Sequence, residues 1–467
     1  MKMVTRRNFF GGALAAGAVG LPGTGCASTG AAVLGAGGVR EPAREVKIAG
    51  DADVVVAGGG PAGISAAIGV ARQGAKVVLL EAKGTVGGIW THGLLGCLIG
   101  FNYSEFDHEI LARLDKYRAR RTRRPENDFH CFIYEPEYMK VACEEMLAEA
   151  GVRIRLGTSV VAAVKDASGR NLTAVITESK SGREAWTARK FVDCTGDGDL
   201  AALAGCGFDV GGAEKGDPEQ PASLIGMFTL PDDRGILKFI GNEHTNFDSM
   251  GERMYDAKTE FRAELERVGI HPSYGNPTIF RVNRNLFIIM ANHEYDVPVD
   301  DADAIGEATM RARKEVVEMT EALVKESLYY PDKESPWRGL RLVATADQIY
   351  HRRARRIHGR YTMKVDDCFN GATFDDALTT CHFGIDVHAV SKKMNKVNPA
   401  GSPFQRFSQP YQIPFRACQA ADLDNLYMAG RCISGDFFTQ ASYRITGTAV
   451  ALGYGVGQRI GKEIACK

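Results

Sequence analysis

The sequence predicts an α/β fold, and three features indicate it: a βαβ unit near the start of the globular part, a second strand-and-helix segment near the C terminus, and an α+β region between them. The chain has 467 residues, 45% of them hydrophobic, which is enough to bury a large core. Lysine plus arginine and aspartate plus glutamate each number 57, so no net field attracts nucleic acid or an anionic membrane. We therefore expect a globular protein that does not bind nucleic acid.

The chain begins with a segment laid out like an export signal. Lys2, Arg6 and Arg7 are cationic, positions 9–21 are weakly apolar and rich in glycine, and small residues follow them. The stretch TRRNFF resembles the twin-arginine signal, in which a polar residue, two arginines, a variable residue and two large apolar residues precede a mild apolar region. This resemblance implies a periplasmic or other extracytoplasmic protein that uses the twin-arginine export machinery. The alternative is a frayed basic terminus beside a short buried helix.

Eleven cysteines are scattered along the chain. They form no CxxC pair, so their spacing supports neither a zinc site nor a dithiol redox centre. We expect no metal site and interpret most of the cysteines as small buried hydrophobic residues. Cys26 in LPGTGCAS is a candidate lipid attachment site, but Gly23 stands where such sites usually carry a large aliphatic residue, so lipidation is the minor alternative.

The first chemical signal follows a spacer, in the stretch DADVVVAGGGPAGISAAIGVARQGAKVVLLEAKGTVGG. An apolar strand over 54–57 leads into a glycine turn, an alanine-rich helix and a second apolar strand over 77–80. A glycine-rich turn alone is a weak signal. The strand, helix and second strand in register predict a complete βαβ unit of the dinucleotide-binding kind.

Each glycine of this turn has a separate role in such a unit. Gly58 allows the tight turn, Gly60 lets the backbone approach a pyrophosphate, and Gly63 lets the helix pack closely on the strand. The helix begins at Pro61 and Ala62, so its N terminus would face the phosphates.

Glu81 and Ala82 follow the second strand. Glu81 lies about twenty residues past the glycines, where it is placed to accept a hydrogen bond from a ribose 2′-OH and disfavours the extra phosphate of NADP. NAD and FAD both use this pattern. Gly87 and Gly88 come soon after, and here the sequence resembles flavoproteins of the glutathione reductase and fumarate reductase type, in which a second glycine pair lets the backbone pass the cofactor. The resemblance implies FAD, bound non-covalently.

The next segment is rich in strand patterns. Hydrophobic alternation over 152–164 and a turn at 166–170 predict a hairpin, after which a buried strand runs into TGDGD. In the flavoproteins that the sequence resembles, the strand near Val160 and Val161 passes the adenine, and the turn at Thr195–Gly196 closes over the dinucleotide. Taken alone, that turn is equally consistent with a plain loop.

A second segment with cofactor-binding features lies near the C terminus. An apolar strand over 426–429 enters Gly430 and Arg431, and a run of small residues that starts at Gly447 predicts a closely packed helix over 447–457. Such a helix N terminus would favour the anionic reduced flavin ring. The segment resembles that of a bacterial FAD-dependent oxidoreductase family distantly related to the succinate dehydrogenase and fumarate reductase flavoproteins, with its Ala-Gly-Arg, Cys-Ile-Ser-like run, Ser-x-Arg and glycine-rich helix. The resemblance implies that these residues contact the cofactor.

The same resemblance reaches the middle of the chain. The stretches ADQIYHRRARRIHGRYTMKVDD, GIDVHAV and YQIPFRAC follow the order found in that family, so that nearly the whole chain after Ala49 is covered. Two positions depart from it: the Glu-Ser of the arginine-rich run is Arg353–Ala354 here, and a histidine sometimes found after the Ile-Ser is Phe437. These departures leave open whether this chain acts on the same substrates as its relatives.

Five residues are candidates for substrate chemistry. His388 has the pKa range of a proton donor or acceptor, although a structural histidine is an equal alternative. Arg352, Arg355, Arg356 and Arg444 carry guanidinium groups that match a carboxylate or a reduced flavin, and Arg356 and Arg444 also match the family pattern. A solvated helix face with ion pairs is the alternative for the arginine-rich run.

His92 in GGIWTHG raises the separate possibility of covalent flavin attachment. It follows the glycine pair, whereas the attachment histidine of the succinate dehydrogenase type precedes it. Covalent attachment is therefore the minor alternative.

Together these patterns predict a two-segment FAD-binding Rossmann-like domain with an inserted α+β substrate domain. The insert should hold a strand pair near 278–290 and a helix near 304–328. The predicted organisation is a signal and spacer over 1–48, a first FAD-binding segment over 49–212, a substrate or cap domain over 213–341, and a second segment over 342–467.

We expect an FAD-dependent oxidoreductase that exchanges a hydride between flavin N5 and a small organic substrate. The electron acceptor is open among a quinone, a cytochrome and oxygen, because the chain shows no second glycine-rich unit for NAD(P)H. Two other functions stay open: a fumarate-reductase-like respiratory reductase fed by a membrane partner, and an FAD-binding electron-transfer subunit without its own substrate.

Overall fold

A computed structural model describes residues 33–35, 38–41, 43–100, 105–121, 131–212, 219–241, 250–283, 285–329, 335–398 and 408–466. The export-signal motif with Arg6 and Arg7, and the candidate lipidation site Cys26, lie outside these residues. Contacts divide the chain into two units, residues 1–45 and 46–467. In the first unit, strand β1 (Val33–Gly35) pairs antiparallel with β2 (Gly38–Arg40).

The described part of the second unit alternates strands and helices. Its strands are β3 Lys47–Ala57, β4 Val77–Leu80, β5 Cys97–Ile99, β6 Arg120–Arg121, β7 Cys131–Tyr134, β8 Arg153–Arg155, β9 Ser159–Lys165, β10 Leu172–Ser179, β11 Gly182–Asp193, β12 Phe208–Asp209, β13 Gly226–Thr229, β14 Thr278–Asn283, β15 Leu286–Met290, β16 Arg341–Thr345, β17 Arg356–Ile357, β18 Ala377–Cys381, β19 Tyr411–Pro414 and β20 Leu426–Met428. Its α-helices are α1 Pro61–Ala71, α2 Glu105–Lys116, α3 Pro136–Glu149, α4 Asp199–Leu203, α5 Met250–Arg267, α6 Ala302–Tyr329, α7 Val365–Asn370, α8 Lys392–Val397, α9 Phe437–Tyr443 and α10 Thr446–Ala465.

The main sheet has the parallel core that the βαβ pattern predicts. Strands β8, β4, β3, β11 and β20 lie side by side and parallel. The first half of β11 also pairs antiparallel with β10, and β10 pairs antiparallel with β9. The predicted α/β class is therefore confirmed. The strand predicted over 54–57 begins earlier, at Lys47, because its half-exposed first residues pair with the start of β11.

Helices α1 and α10 pack against each other through glycine. A Cβ on Gly453 would lie 2.2 Å from the carbonyl oxygen of Ala62, and one on Gly457 would lie 2.2 Å from that of Ala66. Side chains at these positions would force the two backbones apart. The close-packed helix expected from the small-residue run over 447–457 is thus present as part of the longer α10.

A second hydrophobic cluster lies around the antiparallel sheet β14-β15-β13-β16, together with residues of α5 and α6. The predicted strand pair and helix of the insert correspond to β14, β15 and α6. This cluster extends to Ile349, and β16 pairs with β13, so the boundary expected between 341 and 342 falls inside a strand of this sheet. Strand β16 belongs to this sheet because it pairs with β13, and no local sequence pattern predicts that pairing.

Two further expectations concern the cysteines and the membrane. Among the described residues, eight free cysteines are buried and only Cys466 is exposed, as expected for small hydrophobic side chains. None of the described helices combines the length and the apolar character that crossing a bilayer requires.

Candidate active site

The glycine turn lies between β3 and α1. Gly58 has a φ of +96°, and a Cβ there would lie 2.4 Å from the carbonyl oxygen of Cys194. A Cβ on Gly63 would lie 1.8 Å from the carbonyl oxygen of Gly58, so the helix can approach the strand only without a side chain. At Gly60 a Cβ would meet no atom within 4 Å. The turn is therefore closely packed on its inner side and open at Gly60.

Glu81 lies directly behind this turn. Its carboxylate accepts hydrogen bonds from the backbone N–H of Gly59 at 2.6 Å and of Lys83 at 2.7 Å, and the side chain is buried. Burial raises the pKa of Glu81, while the two backbone donors oppose that rise. Each carboxylate oxygen has a second acceptor site, so a ribose hydroxyl could also bind there. Ala82 is exposed beside it.

The residues just before β9 hydrogen-bond to the backbone at Glu81 and Lys83. The N–H of Thr158 donates to the carbonyl oxygen of Glu81 at 2.8 Å, and the N–H of Gly157 donates to that of Lys83 at 2.9 Å. Val160 and Val161 follow on β9 and are half-buried. These contacts bring the predicted adenine-binding strand to the same end of the sheet as Glu81.

The second glycine pair packs against the first turn. The N–H of Gly87 donates to the carbonyl oxygen of Gly59 at 2.7 Å, and both Gly87 and Gly88 have positive φ. A Cβ on Gly88 would lie 3.1 Å from the Cα of Gly60. The two glycine segments thus meet beside the open position at Gly60.

Two further turns end neighbouring parallel strands. Thr195 and Gly196 follow β11, and Gly430 and Arg431 follow β20, with positive φ at both glycines. The Arg431 guanidinium pairs with Asp197 at 2.8 Å, yet its buried Nε has no hydrogen-bond partner among the described residues. A buried donor of this kind suits a phosphate or another anion.

Asp193 organises the turn after β11, and the sequence reasoning did not single it out. Its carboxylate accepts from the N–H of Thr195 at 3.0 Å, from the hydroxyl of Thr195 at 2.8 Å and from the N–H of Ala201 at 2.8 Å. Burial raises the pKa of Asp193, and these donors oppose the rise. Its place as the last residue of a buried strand, just before a glycine turn, is the sequence signal that could have identified Asp193.

The predicted cofactor-binding residues therefore fit a dinucleotide. The glycine turns and Arg431 lie at the carboxyl ends of parallel strands, which is where open α/β sheets bind such ligands. Gly447 is in the first turn of α10, whose glycine face packs on α1. The open position at Gly60 and the unpaired Nε of Arg431 are the features that a bound pyrophosphate would satisfy.

A separate charged group lies where α9 ends. Arg444 donates to the Oδ2 of Asp386 at 2.9 Å and to the carbonyl oxygen of the same residue at 2.9 Å. The Nε2 of His388 lies 3.5 Å from that Oδ2. Burial would raise the pKa of Asp386, but His388, Arg444 and Arg352 outweigh it and hold the pKa below its usual range. Asp386 is therefore an ionised carboxylate.

Arg352 lies beside this group without a carboxylate partner of its own. It donates to the carbonyl oxygen of Pro221 at 2.9 Å and to the hydroxyl of Ser223 at 2.8 Å, and it forms no ion pair with any described residue. Burial and the neighbouring Arg444 lower the pKa of Arg352 to about 10. Because that value lies above neutral pH, Arg352 still carries its charge.

Three residues from the segments just before β14 and just after β15 complete the group, and the sequence reasoning missed them. His293 follows β15, and its Nε2 lies 3.2 Å from the Nδ1 of His388. The hydroxyl of Tyr295 lies 3.2 Å from the Nδ1 of His293, and the ring centroid of Tyr274 lies 4.1 Å from that of His293. Two histidines and two tyrosines converge here from segments that are distant in sequence.

The other candidates of the arginine-rich run lie elsewhere. Arg356 is on β17 and donates to the carbonyl oxygen of Gly211 at 3.1 Å. Arg355 pairs with Asp199 at 2.8 Å. Among the described contacts, neither joins the group of Arg352, Arg444 and His388. Of the four candidate arginines, the structure brings Arg352 and Arg444 together and places Arg355 and Arg356 against other parts of the chain.

His92 lies just after a short 3-10 helix, Gly88–Trp90. Its carbonyl oxygen accepts from the N–H of Asp347 at 3.2 Å, and its ring centroid lies 6.2 Å from that of Tyr350. Its buried Nδ1 has no hydrogen-bond partner among the described residues, and burial lowers the pKa of the ring. Covalent flavin attachment at His92 stays the minor alternative to the non-covalent binding predicted above.

Comparison with known proteins identifies the family. No curated protein sequence matches the chain significantly. Among solved structures, it is similar to THI4 of Thermovibrio ammonificans, with 19% identity, 35% of this chain and 67% of the other covered, and a TM-score of 0.28. It is also similar to a geranylgeranyl bacteriochlorophyll reductase-like protein of Thermoplasma acidophilum (10% identity, 89% and 79% covered, TM-score 0.41) and to L-proline dehydrogenase of P. horikoshii (12% identity, 88% and 94% covered, TM-score 0.41).

The sequence profile described as "FAD dependent oxidoreductase" matches residues 53–461, which is most of the chain. That match spans the glycine turn, both strand ends with their glycine turns, and the group around Asp386. The chain therefore belongs to the FAD-dependent oxidoreductase family.

Proposed function

We propose that FAD binds non-covalently along the carboxyl edge of the parallel sheet, in the manner of the glutathione reductase-type flavoproteins. The turn at Gly60, together with Arg431, holds the pyrophosphate. Glu81 holds the adenosine ribose, and Val160 and Val161 flank the adenine. Gly447 and the first turn of α10 lie at the flavin end. When bound, FAD supplies a ring that accepts or donates a hydride.

The substrate of this enzyme is a small organic carboxylate, and the observation that carries this proposal is the charge balance around Arg352. Arg352 and Arg444 are two buried cations, but Asp386 is the only described carboxylate that pairs with either of them. An excess of buried positive charge favours an anionic ligand.

The chain's own residues then hold the substrate and move its proton. Arg352 binds the substrate carboxylate with the part of its guanidinium that Pro221 and Ser223 do not use. Arg444 is fixed by Asp386 and orients the other end of the substrate. His388 is placed to exchange a proton with the substrate, and bound FAD would supply the hydride chemistry.

The first experiment is a flavin spectrum of the purified protein, followed by anaerobic addition of a panel of small acids. We expect at least one 2-hydroxy acid to bleach the flavin, or an enoate such as fumarate to re-oxidise flavin that was reduced photochemically. Bleaching only by sugars or amines without a carboxylate would contradict the carboxylate proposal. Re-oxidation by enoates alone would favour the respiratory reductase, and inertness toward every compound would favour the electron-transfer subunit.

An Arg352→Met variant tests the carboxylate contact directly. Loss of a charged hydrogen bond costs about 1.5–3 kcal/mol, so we expect the apparent dissociation constant of the active acid to rise by about 10–150-fold. Arg360→Met is the control, because Arg360 is an exposed partner of Asp424. FAD occupancy should stay unchanged in both variants.

We propose that the leader containing TRRNFF directs this protein through the twin-arginine export machinery to a site outside the cytoplasm. A buried FAD is enclosed by two separated chain segments, so it has to bind before they close around it. FAD is made in the cytoplasm, and an export route for folded proteins meets that requirement. The electron acceptor is then a quinone, a cytochrome or oxygen. Whether Cys26 carries a lipid is a separate question for mass spectrometry of the exported protein.

A further inference from the structure

We propose that Tyr295, His293 and His388 form a proton-transfer chain that ends at the substrate position beside Asp386. The Tyr295 hydroxyl is 3.2 Å from the Nδ1 of His293, and the Nε2 of His293 is 3.2 Å from the Nδ1 of His388. The Nε2 of His388 lies 3.5 Å from the Oδ2 of Asp386. This proposal rests on the proposed function, because a substrate has to lie at the Asp386 end for the chain to serve it.

The carboxylate at the Asp386 end determines the direction of the two hydrogen bonds, Tyr295 to His293 and His293 to His388. Asp386 is ionised and paired with Arg444, so it can only accept. His388 then carries its proton on Nε2 and accepts at Nδ1. His293 has to donate from Nε2, which leaves its Nδ1 as the acceptor for the Tyr295 hydroxyl. The resting chain thus points its protons from Tyr295 toward Asp386.

The surrounding groups keep both imidazoles neutral. Burial and the neighbouring Arg352 lower the pKa of His388 to about 4, and they lower that of His293 well below its usual range. Burial raises the pKa of Tyr295 to about 12, so its hydroxyl is protonated at rest. The charged and titratable groups that face the chain from neighbouring elements are Arg352, Arg444, Asp386, Lys258, Tyr274 and Glu315.

His293 is a positioning residue that is held firmly by its own cluster. Its backbone N–H donates to the Ser273 hydroxyl at 2.8 Å, and that hydroxyl donates to Glu315 at 2.7 Å. The ring of Tyr274 covers its face. A ring held in this way keeps both nitrogens aligned with their partners.

When the substrate is reduced, protons move along the chain toward it. The Nε2–H bond of His388 breaks and its proton joins the substrate, while reduced flavin supplies the hydride. The proton on Nε2 of His293 moves to Nδ1 of His388, and the Tyr295 proton moves to Nδ1 of His293. Tyr295 is only half-buried and regains a proton from water. Substrate oxidation runs the same transfers in reverse.

The first test requires no substrate: nitrogen-15 NMR of the histidine rings in the FAD-loaded protein at pH 7, assigned with His293→Gln and His388→Gln. We expect both rings to be neutral with the proton on Nε2. Tyr295→Phe should move the His293 Nδ1 signal toward that of an unbonded nitrogen and leave the His388 tautomer unchanged. Tyr138→Phe, at an exposed position of α3, should change neither. A proton on Nδ1 of either ring, an imidazolium, or an unmoved His293 signal in Tyr295→Phe would overturn the chain.

The second test measures proton transfer, with the acid that bleaches the flavin or with fumarate and reduced flavin. His293→Gly should slow the flavin step at least tenfold, and added imidazole should restore it. 1-Methylimidazole can fill the same space but cannot pass a proton between its two nitrogens, so it should not restore the rate. Equal rescue by both compounds, or an unchanged rate in His293→Gly, would show that His293 only supports packing. If no acid reacts in the wild-type protein, the proposed function fails, and the NMR result alone decides the chain.

Discussion

A methyl carbon on Gly63 would lie 1.8 Å from the carbonyl oxygen of Gly58. That distance is far inside any non-bonded contact, and the atom it meets is backbone that cannot rotate away. The glycine turn and the first helix therefore fit together only while Gly63 has no side chain. The same turn is open at Gly60, and this contrast separates a folding role from a cofactor role.

We predict that Gly63→Ala and Gly60→Ala fail in different ways. Gly63→Ala overpacks the turn and should lower the free energy of unfolding by about 1–3 kcal/mol, with loss of FAD. Gly60→Ala meets no protein atom, so flavin-free protein should keep its stability within about 1 kcal/mol, while FAD occupancy falls at least tenfold. Urea denaturation and the flavin-to-protein absorbance ratio measure the two effects.

Gly306→Ala on α6 is the matched control for these substitutions. A Cβ at Gly306 also meets no atom within 4 Å, and the position is helical, so alanine should stabilise the protein by about 0.5–1 kcal/mol and leave FAD bound. Normal FAD occupancy in Gly60→Ala would show that the cofactor does not approach this turn.

A second prediction concerns Glu81, which accepts from the N–H groups of Gly59 and Lys83. A glutamine keeps the size but has one oxygen, so its amide N–H would face one of these donors. Loss of a hydrogen bond to a charged group costs about 1.5–3 kcal/mol, and we expect Glu81→Gln to weaken FAD binding by about 10–150-fold in fluorescence titration. Glu307→Gln, at an exposed position of α6, should bind FAD like the wild type. Equal affinity in all three proteins would remove Glu81 from the cofactor site.

The βαβ unit could be predicted closely because its signals are local. Strand β4 has the predicted bounds, since four buried apolar residues lie between a polar turn and Glu81. The group around Asp386 could be predicted only in part. His388 and Arg444 could be identified by residue type, but His293 and Tyr295 reach them from the segment after β15, and no spacing in the sequence predicts that contact. Arg356 shows the converse, because its place in a two-residue strand separates it from its neighbour Arg352.

A third prediction concerns the leader. Changing Arg6 and Arg7 together to lysine keeps the charge but removes the guanidinium pair of the export motif. We expect flavin-loaded protein to accumulate in the cytoplasm, as measured by cell fractionation and the flavin spectrum of each fraction. Lys2→Arg is the control, because it alters a basic residue outside the motif and should leave export intact. Export of the double variant with FAD bound would break the link between the leader and the cofactor.

The last prediction is a pH dependence of stability that originates at His388. Its pKa is lowered from 6.5 to about 4 in the folded protein, chiefly by burial and then by Arg352. As pH falls below about 6.5, the unfolded chain takes up a proton at His388 while the folded protein does not, so the free energy of unfolding decreases until the pH reaches about 4. A single such group contributes at most about 1.4 kcal/mol per pH unit.

His388→Gln removes the titrating group and should show a shallower decrease between pH 6.5 and 4 in urea denaturation. Parallel curves for the wild type and His388→Gln would mean that His388 takes up its proton equally in the folded and unfolded chain, and the buried neutral ring on which the proton-transfer chain depends would be wrong.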